Sequence, residues 1–104
     1  MSTHCAKLSL RVEPETASVG ETVEILGTVT NCASINESLT VELHITGPGY
    51  TKTYSAPLTL GPGEKQSEKR PFTAPAAPGL YTLTAIVRLE ETELDAAQAT
   101  LTVE

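Results

Sequence analysis

The sequence has no tryptophan, and its only aromatic side chains are Tyr50, Tyr54, Phe72 and Tyr81. Recognition of sugars by stacking would therefore depend on Tyr50 and Tyr54, whose i, i+4 spacing on a strand puts them on one face about 13–14 Å apart. Positive charge is also scarce: 7 basic residues against 13 acidic ones give a net charge of −6. An acidic surface repels phosphate backbones, so nucleic acid is not an expected partner. Lys65, Lys69 and Arg70 form no basic stripe, because Glu64 and Glu68 are interleaved with them. A basic helix lying on a membrane surface is excluded on the same ground. No apolar run nears the ~20 residues of a membrane span. The opening MSTHCAKLSL lacks the apolar h-region and cleavage site of a signal peptide. The chain reads as a complete soluble protein, or as a module cut from a longer secreted one.

The residues that carry chemistry do not converge. His4 and Cys5 are neighbours, but zinc needs four placed ligands, and only Cys32 and a distant His44 are left to join them. Cys–His catalysis needs a positioned base and an oxyanion hole, and neither is indicated. Glu90, Glu91, Glu93 and Asp95 cluster near the last turn. They lack the spacing of a calcium loop and read as a solvated charged turn. GPGY and GPGE contain proline and open no helix, so no phosphate-binding loop is present. NES at 36–38 fits an N-glycosylation sequon, which matters only in a eukaryotic secreted protein. No catalytic residue, cofactor or metal ligand is assigned, and the chain is not expected to be an enzyme.

What the sequence does contain is period-2 alternation. KLSLRV (7–12) sets Leu8, Leu10 and Val12 on one face; TVEILGTVTN (22–31) does the same with Val23, Ile25, Gly27 and Val29. LTVELHIT (39–46) alternates Leu39, Val41, Leu43 and Ile45 against polar partners. Such patterns are half-buried strands. YTKTYS (50–55) reads as a short edge strand, with LTL (58–60) leading into the next turn. KQSEKRPFTA (65–74) is mostly charged, with Phe72 as its one core anchor and Pro71 confining it to an edge. Tyr81, Leu83, Ala85, Val87 and Leu89 share a face of a long strand, ETELD reads as a charged turn, and AAQATLTV alternates to the end. Seven or eight strands at this spacing predict an all-β immunoglobulin-like sandwich of antiparallel strands in two sheets, one domain over residues 1–104.

Between the polar strand and the long one lies APAAPGLYTL (74–83). Pro75 and Pro78 stiffen the crossing from sheet to sheet, Gly79 permits a conformation other residues resist, and Tyr81 starts the penultimate strand. That is where such sandwiches place a tyrosine whose hydroxyl bonds to backbone upstream. Pro78, Gly79 and Tyr81 are therefore the expected structural corner. The second half, LTLGPGEKQSEKRPFTAPAAPGLYTLTAIV, resembles bacterial immunoglobulin-like modules of the CARDB type (cell-adhesion-related domain found in bacteria). It has their L-x-P-G-E turn, proline-rich corner and G-x-Y-x-L-x-A-x-V strand. The first half matches through VEPETASVGETVEILGTVTN, with G-x-V-x-N at Gly27, Val29 and Asn31. The resemblance covers nearly the whole chain and falls on turn and core positions, so it implies fold far more than function. An antibody-type domain is disfavoured: such domains pack a tryptophan on an inter-sheet disulfide.

The two cysteines fit one register. If the first two strands pair antiparallel, the index sum that opposes Leu8 to Val29, Leu10 to Gly27 and Val12 to Ile25 also opposes Cys5 to Cys32 on the outer face. A disulfide there would stabilise the domain by roughly 3–4 kcal/mol in the chain-entropy model and would indicate an oxidising compartment. In a reducing cytoplasm the two would stay free thiols. The function expected is a non-catalytic interaction or structural module of a surface or extracellular assembly. Its loops would contact a protein or a glycan, with Asn36, Tyr50, Tyr54 and Glu91 as candidate binding positions. Two alternatives stand beside it: a stand-alone virion component such as a capsid decoration protein, and an accessory carbohydrate-binding domain of a secreted hydrolase. The chain is expected to be monomeric in dilute solution, because Lys52, Lys65, Glu68, Lys69 and Arg70 guard the weak edge strands against pairing.

Overall fold

The computed structural model describes residues 4–104. Its elements are β1 (Ala6–Glu13), β2 (Thr16–Ala17), β3 (Thr22–Asn31), β4 (Glu37–Gly47), β5 (Tyr50–Leu60), β6 (Lys65–Thr73), β7 (Gly79–Leu89) and β8 (Thr92–Val103). They form a three-stranded sheet, β1-β3-β6, and a five-stranded sheet, β2-β8-β7-β4-β5. The chain is an all-β immunoglobulin-like sandwich. All neighbours are antiparallel except β2, which pairs parallel with β8. Alternation fixes the register, since a slip of one residue would turn every apolar side chain of a strand to water. Leu8 opposes Val29, Leu10 opposes Gly27 and Val12 opposes Ile25.

Two stretches pair differently from the sequence expectation. Residues 50–60 form one continuous strand, where 50–55 and 58–60 read as separate pieces. Pro57 is tolerated because β5 is an edge strand, so its missing N–H breaks no ladder on the outer side. The last hairpin is also tighter than a turn over 91–95. Glu90 adopts a positive φ of 55°, and Leu89 pairs with Thr92 across the Glu90–Glu91 turn. The charged residues that follow are strand residues of β8.

The core falls into two clusters along the long axis of a body measuring 46 × 21 × 18 Å. One gathers Val12, Val23, Ile45, Phe72, Tyr81 and Leu101, the other Ala6, Val29, Leu39, Leu60 and Val87. Tyr81 is fully buried, and its hydroxyl donates to the Ala77 carbonyl at 2.6 Å. Gly79, at φ 144°, stands where a Cβ would come within 2.7 Å of Pro48, so the corner is clamped against the β4–β5 turn. Tyr81→Phe keeps the ring and removes one part-buried hydrogen bond. It is expected to lower the unfolding free energy by about 1 kcal/mol in urea titration, leaving the Ala77 carbonyl to solvent or unpaired.

Candidate functional site

The strand directions sort the loops into two poles. The β3–β4 loop (32–36), the β5–β6 turn (61–64), the β7–β8 hairpin (90–91) and the start of β1 lie at one end, the amino pole. The β4–β5 turn, the corner and the end of β8 lie at the other. Asn36 and Glu91 are therefore exposed at the same pole, whereas Tyr50 is at the far end.

The amino pole is held by Asn31, a fully buried residue. Its Nδ2 donates to the carbonyls of Ile35 (2.9 Å), Leu60 (3.0 Å) and Gly61 (3.0 Å), and its Oδ1 accepts from Ala33 N–H at 2.8 Å. One side chain thus ties the β3–β4 loop to the β5–β6 turn. Glu37 is also buried, and both its oxygens accept from His4 Nδ1, at 2.9 and 3.1 Å. The one-residue extension of the β1–β3 register brings Cys5 opposite Cys32. The two sulfurs are bonded, with their Cα atoms 5.0 Å apart. The bridge closes a loop whose ends are 27 positions apart. The double variant Cys5→Ser, Cys32→Ser is expected to lose roughly 3 kcal/mol of stability, read as a lower urea midpoint with an altered slope.

The expected stacking platform is corrected by the structure. Tyr50 and Tyr54 do share a face, but it is the inner one. Tyr50 lies edge-on to Phe72 and Tyr81, with centroids 6.0 and 5.9 Å apart, and belongs to the core. Tyr54 packs at the rim between the two sheets, with the Arg70 guanidinium 4.5 Å and the Lys52 ammonium 5.8 Å from its ring centroid. Both rings turn inward because Gly47–Leu60 alternation puts every even position from Tyr50 to Leu58 on the side of Ile45 and Leu43.

That rim opens a cleft. On one flank β1 packs along β8, and Leu8 N–H donates to Asp95 Oδ2 at 2.8 Å. No comparable packing joins β5 to β6 on the opposite flank. A cavity of about 140 Å³ enters there, floored by Leu8, Leu10, Val29, Val41, Leu43 and Ala85. Gln66, Glu68 and Arg70 stand opposite Val29, Gly27 and Ile25 and so share the inward face of β6, yet all three are exposed at the cleft mouth. The charged character of β6 conceals this in the sequence: three of its seven polar residues lie on the core-facing side, and nothing in their type distinguishes them from the outward ones.

On the outer face of the five-stranded sheet, Glu42 accepts from His44 Nε2 at 3.1 Å and from Arg88 Nε at 3.2 Å. The His44 hydrogen bond, and after it the Arg88 charge, hold the Glu42 carboxyl below the usual carboxylate range. Among the described residues no three His, Cys, Asp or Glu side chains gather as metal ligands, and the Glu90–Asp95 cluster is dispersed along the hairpin.

Neither a family model nor a curated protein matches the sequence. Solved structures do. The CARDB domain of a Pyrococcus furiosus protein, determined in complex with di-metal ions, superposes with a TM-score of 0.76 at 22% identity, over 99% of this chain and 97% of that one. The chain has the fold of a CARDB domain. The same CARDB-like sandwich recurs inside larger enzymes. A β-glucosidase from Erythrobacter marinus matches with a TM-score of 0.76 at 13% identity, over 100% of this chain and 16% of that one. A cycloisomaltooligosaccharide glucanotransferase from a Paenibacillus species, complexed with cycloisomaltoheptaose, matches at 0.74 and 22% identity, over 93% of this chain and 14% of that one. The chain thus spans about a sixth or less of these two enzymes.

Proposed function

We propose that the chain is a non-catalytic, in-line interaction module of a surface or extracellular assembly. It would space what lies at its two ends and make its contacts, with a protein or a glycan, through the amino-pole loops that carry Asn36 and Glu91. The observation that carries this reading is the placement of the chain ends. β1 starts at one pole and β8 finishes at the other, along the 46 Å axis. A module so arranged can be threaded into a longer polymer without folding the chain back. The occurrence of this sandwich as a small part of larger enzymes supports the reading, and the Cys5–Cys32 bridge supports an oxidising compartment.

The test is intact mass of the protein from its native source, alkylated with and without reductant, together with turnover assays on chromogenic glycosides. The expected result is a thiol pair that alkylates only after reduction, and no turnover. Free thiols in the native material would sink the extracellular placement. Turnover that survives purification to homogeneity would sink the non-catalytic one.

A further inference from the structure

We propose that the cleft between β5 and β6 binds a small amphipathic carboxylate, an aryl or short acyl body ending in one carboxylate. The inference is independent of what the loops contact.

The cleft exists because one side chain is missing from an otherwise filled row. The inward positions of β3 are Val23, Ile25, Gly27 and Val29, and Gly27 faces Leu10 on one side and Glu68 on the other. The gap falls between the two core clusters, where Leu8, Leu10, Val41, Leu43 and Leu58 remain only partly buried. A Cβ built on Gly27 meets nothing nearer than 3.8 Å, so the space is real and not required by close backbone packing. At about 140 Å³ it suits one aromatic ring or a short alkyl chain; an apolar cavity of roughly 150 Å³ takes benzene.

The mouth selects the head group. Arg70 and Lys52 flank the Tyr54 ring, and among the described residues neither has a carboxylate within ion-pair distance. A guanidinium is always charged and matches a carboxylate in a bidentate fork. Glu68, next along the same lip, repels an anion at mid-cleft and leaves the Tyr54 end as the place for the head. The body then lies inward over Leu43 and Leu10. A peptide strand is disfavoured as occupant, because Pro57 on one lip and Pro71 on the other deny an added strand a continuous ladder.

The test is a titration of the ¹⁵N-labelled protein with 4-phenylbutanoate and, separately, with its neutral amide, followed by amide chemical shifts. Saturable shifts at Leu10, Leu43, Tyr54 and Arg70 are expected, with the acid binding about tenfold tighter than the amide, as one charge-assisted contact predicts. Arg70→Gln is expected to erase that preference. Gly27→Val fills the cavity and is expected to abolish binding while leaving the melting temperature unchanged or higher, which separates loss of the site from loss of the fold. No saturation by ~10 mM, equal binding of acid and amide, or shifts mapping away from the cleft would each overturn the proposal. So would binding of an apolar–acidic peptide where 4-phenylbutanoate fails.

Discussion

Replacing Asn31 with aspartate is expected to lower stability by about 4 kcal/mol at neutral pH, and by less as the pH falls. The change is nearly isosteric, so packing is conserved and the effect isolates hydrogen bonding. Aspartate can still accept from Ala33 N–H, as Asn31 Oδ1 does. It cannot donate to the carbonyls of Ile35, Leu60 and Gly61, and its ionised form sets a buried negative charge against all three. The folded protein therefore favours the protonated acid, and the new carboxyl titrates above its unfolded value. The penalty is fully present above that raised value and shrinks as the pH drops through it, because the protonated acid regains one donor. The measurement is the difference in urea unfolding free energy between variant and parent at several pH values. A pH-independent difference, or one under 1 kcal/mol, would show that Asn31 does not hold the amino pole together as described.

The second large effect is expected at the opposite pole. A Cβ at Gly47 would fall on the Tyr81 ring, within 2.8 Å of Cγ and nearer still to Cδ2 and Cε2. The ring has nowhere to move: Tyr81 is fully buried, and the edge of Tyr50 closes its side at 5.9 Å. Gly47→Val should therefore cost about 4 kcal/mol, overpacking together with loss of the Tyr81–Ala77 hydrogen bond. Thermal denaturation reads the loss directly. The control is Gly47→Ala in a Tyr81→Leu background, which is expected to cost less than Gly47→Ala alone because the obstructing ring is gone. Equal costs in the two backgrounds would mean that the glycine is not kept for the ring.

What could be read in advance follows from one physical fact: alternation is visible only where one face is buried and the other is wet. β1, β3, β4 and β7 meet that condition, and the register of β1 on β3 followed from the apolar pattern alone. β6 does not meet it. Its inward side chains, Gln66, Glu68 and Arg70, line an open cleft and look in sequence like the outward ones. The cleft itself depends on Gly27 lacking a side chain, which in sequence is one glycine within a motif. The same motif ends at Asn31, a polar strand end in sequence and a buried hub in the structure. Tyr50 and Tyr54 were placed correctly on one face, but spacing alone does not say whether that face looks out or in. The short β2 pairs with a strand some 85 positions later, beyond the reach of any local pattern.

The covalent bridge at the start of β1 also decides how this body would carry tension. Because the ends leave at opposite poles, a stretched chain loads the molecule along its 46 Å axis. Without the bridge, pull on the amino end would run through β1 and shear its ladder with β3. With it, the load passes from Cys5 straight to Cys32, and the 27-position segment between them drops out of the tensile path. Such a link would extend about 90 Å less on rupture than its residue count implies. β1 and the first sheet edge would stay folded on the slack side, so oxidation would make the module a shorter and stiffer tether without altering its fold.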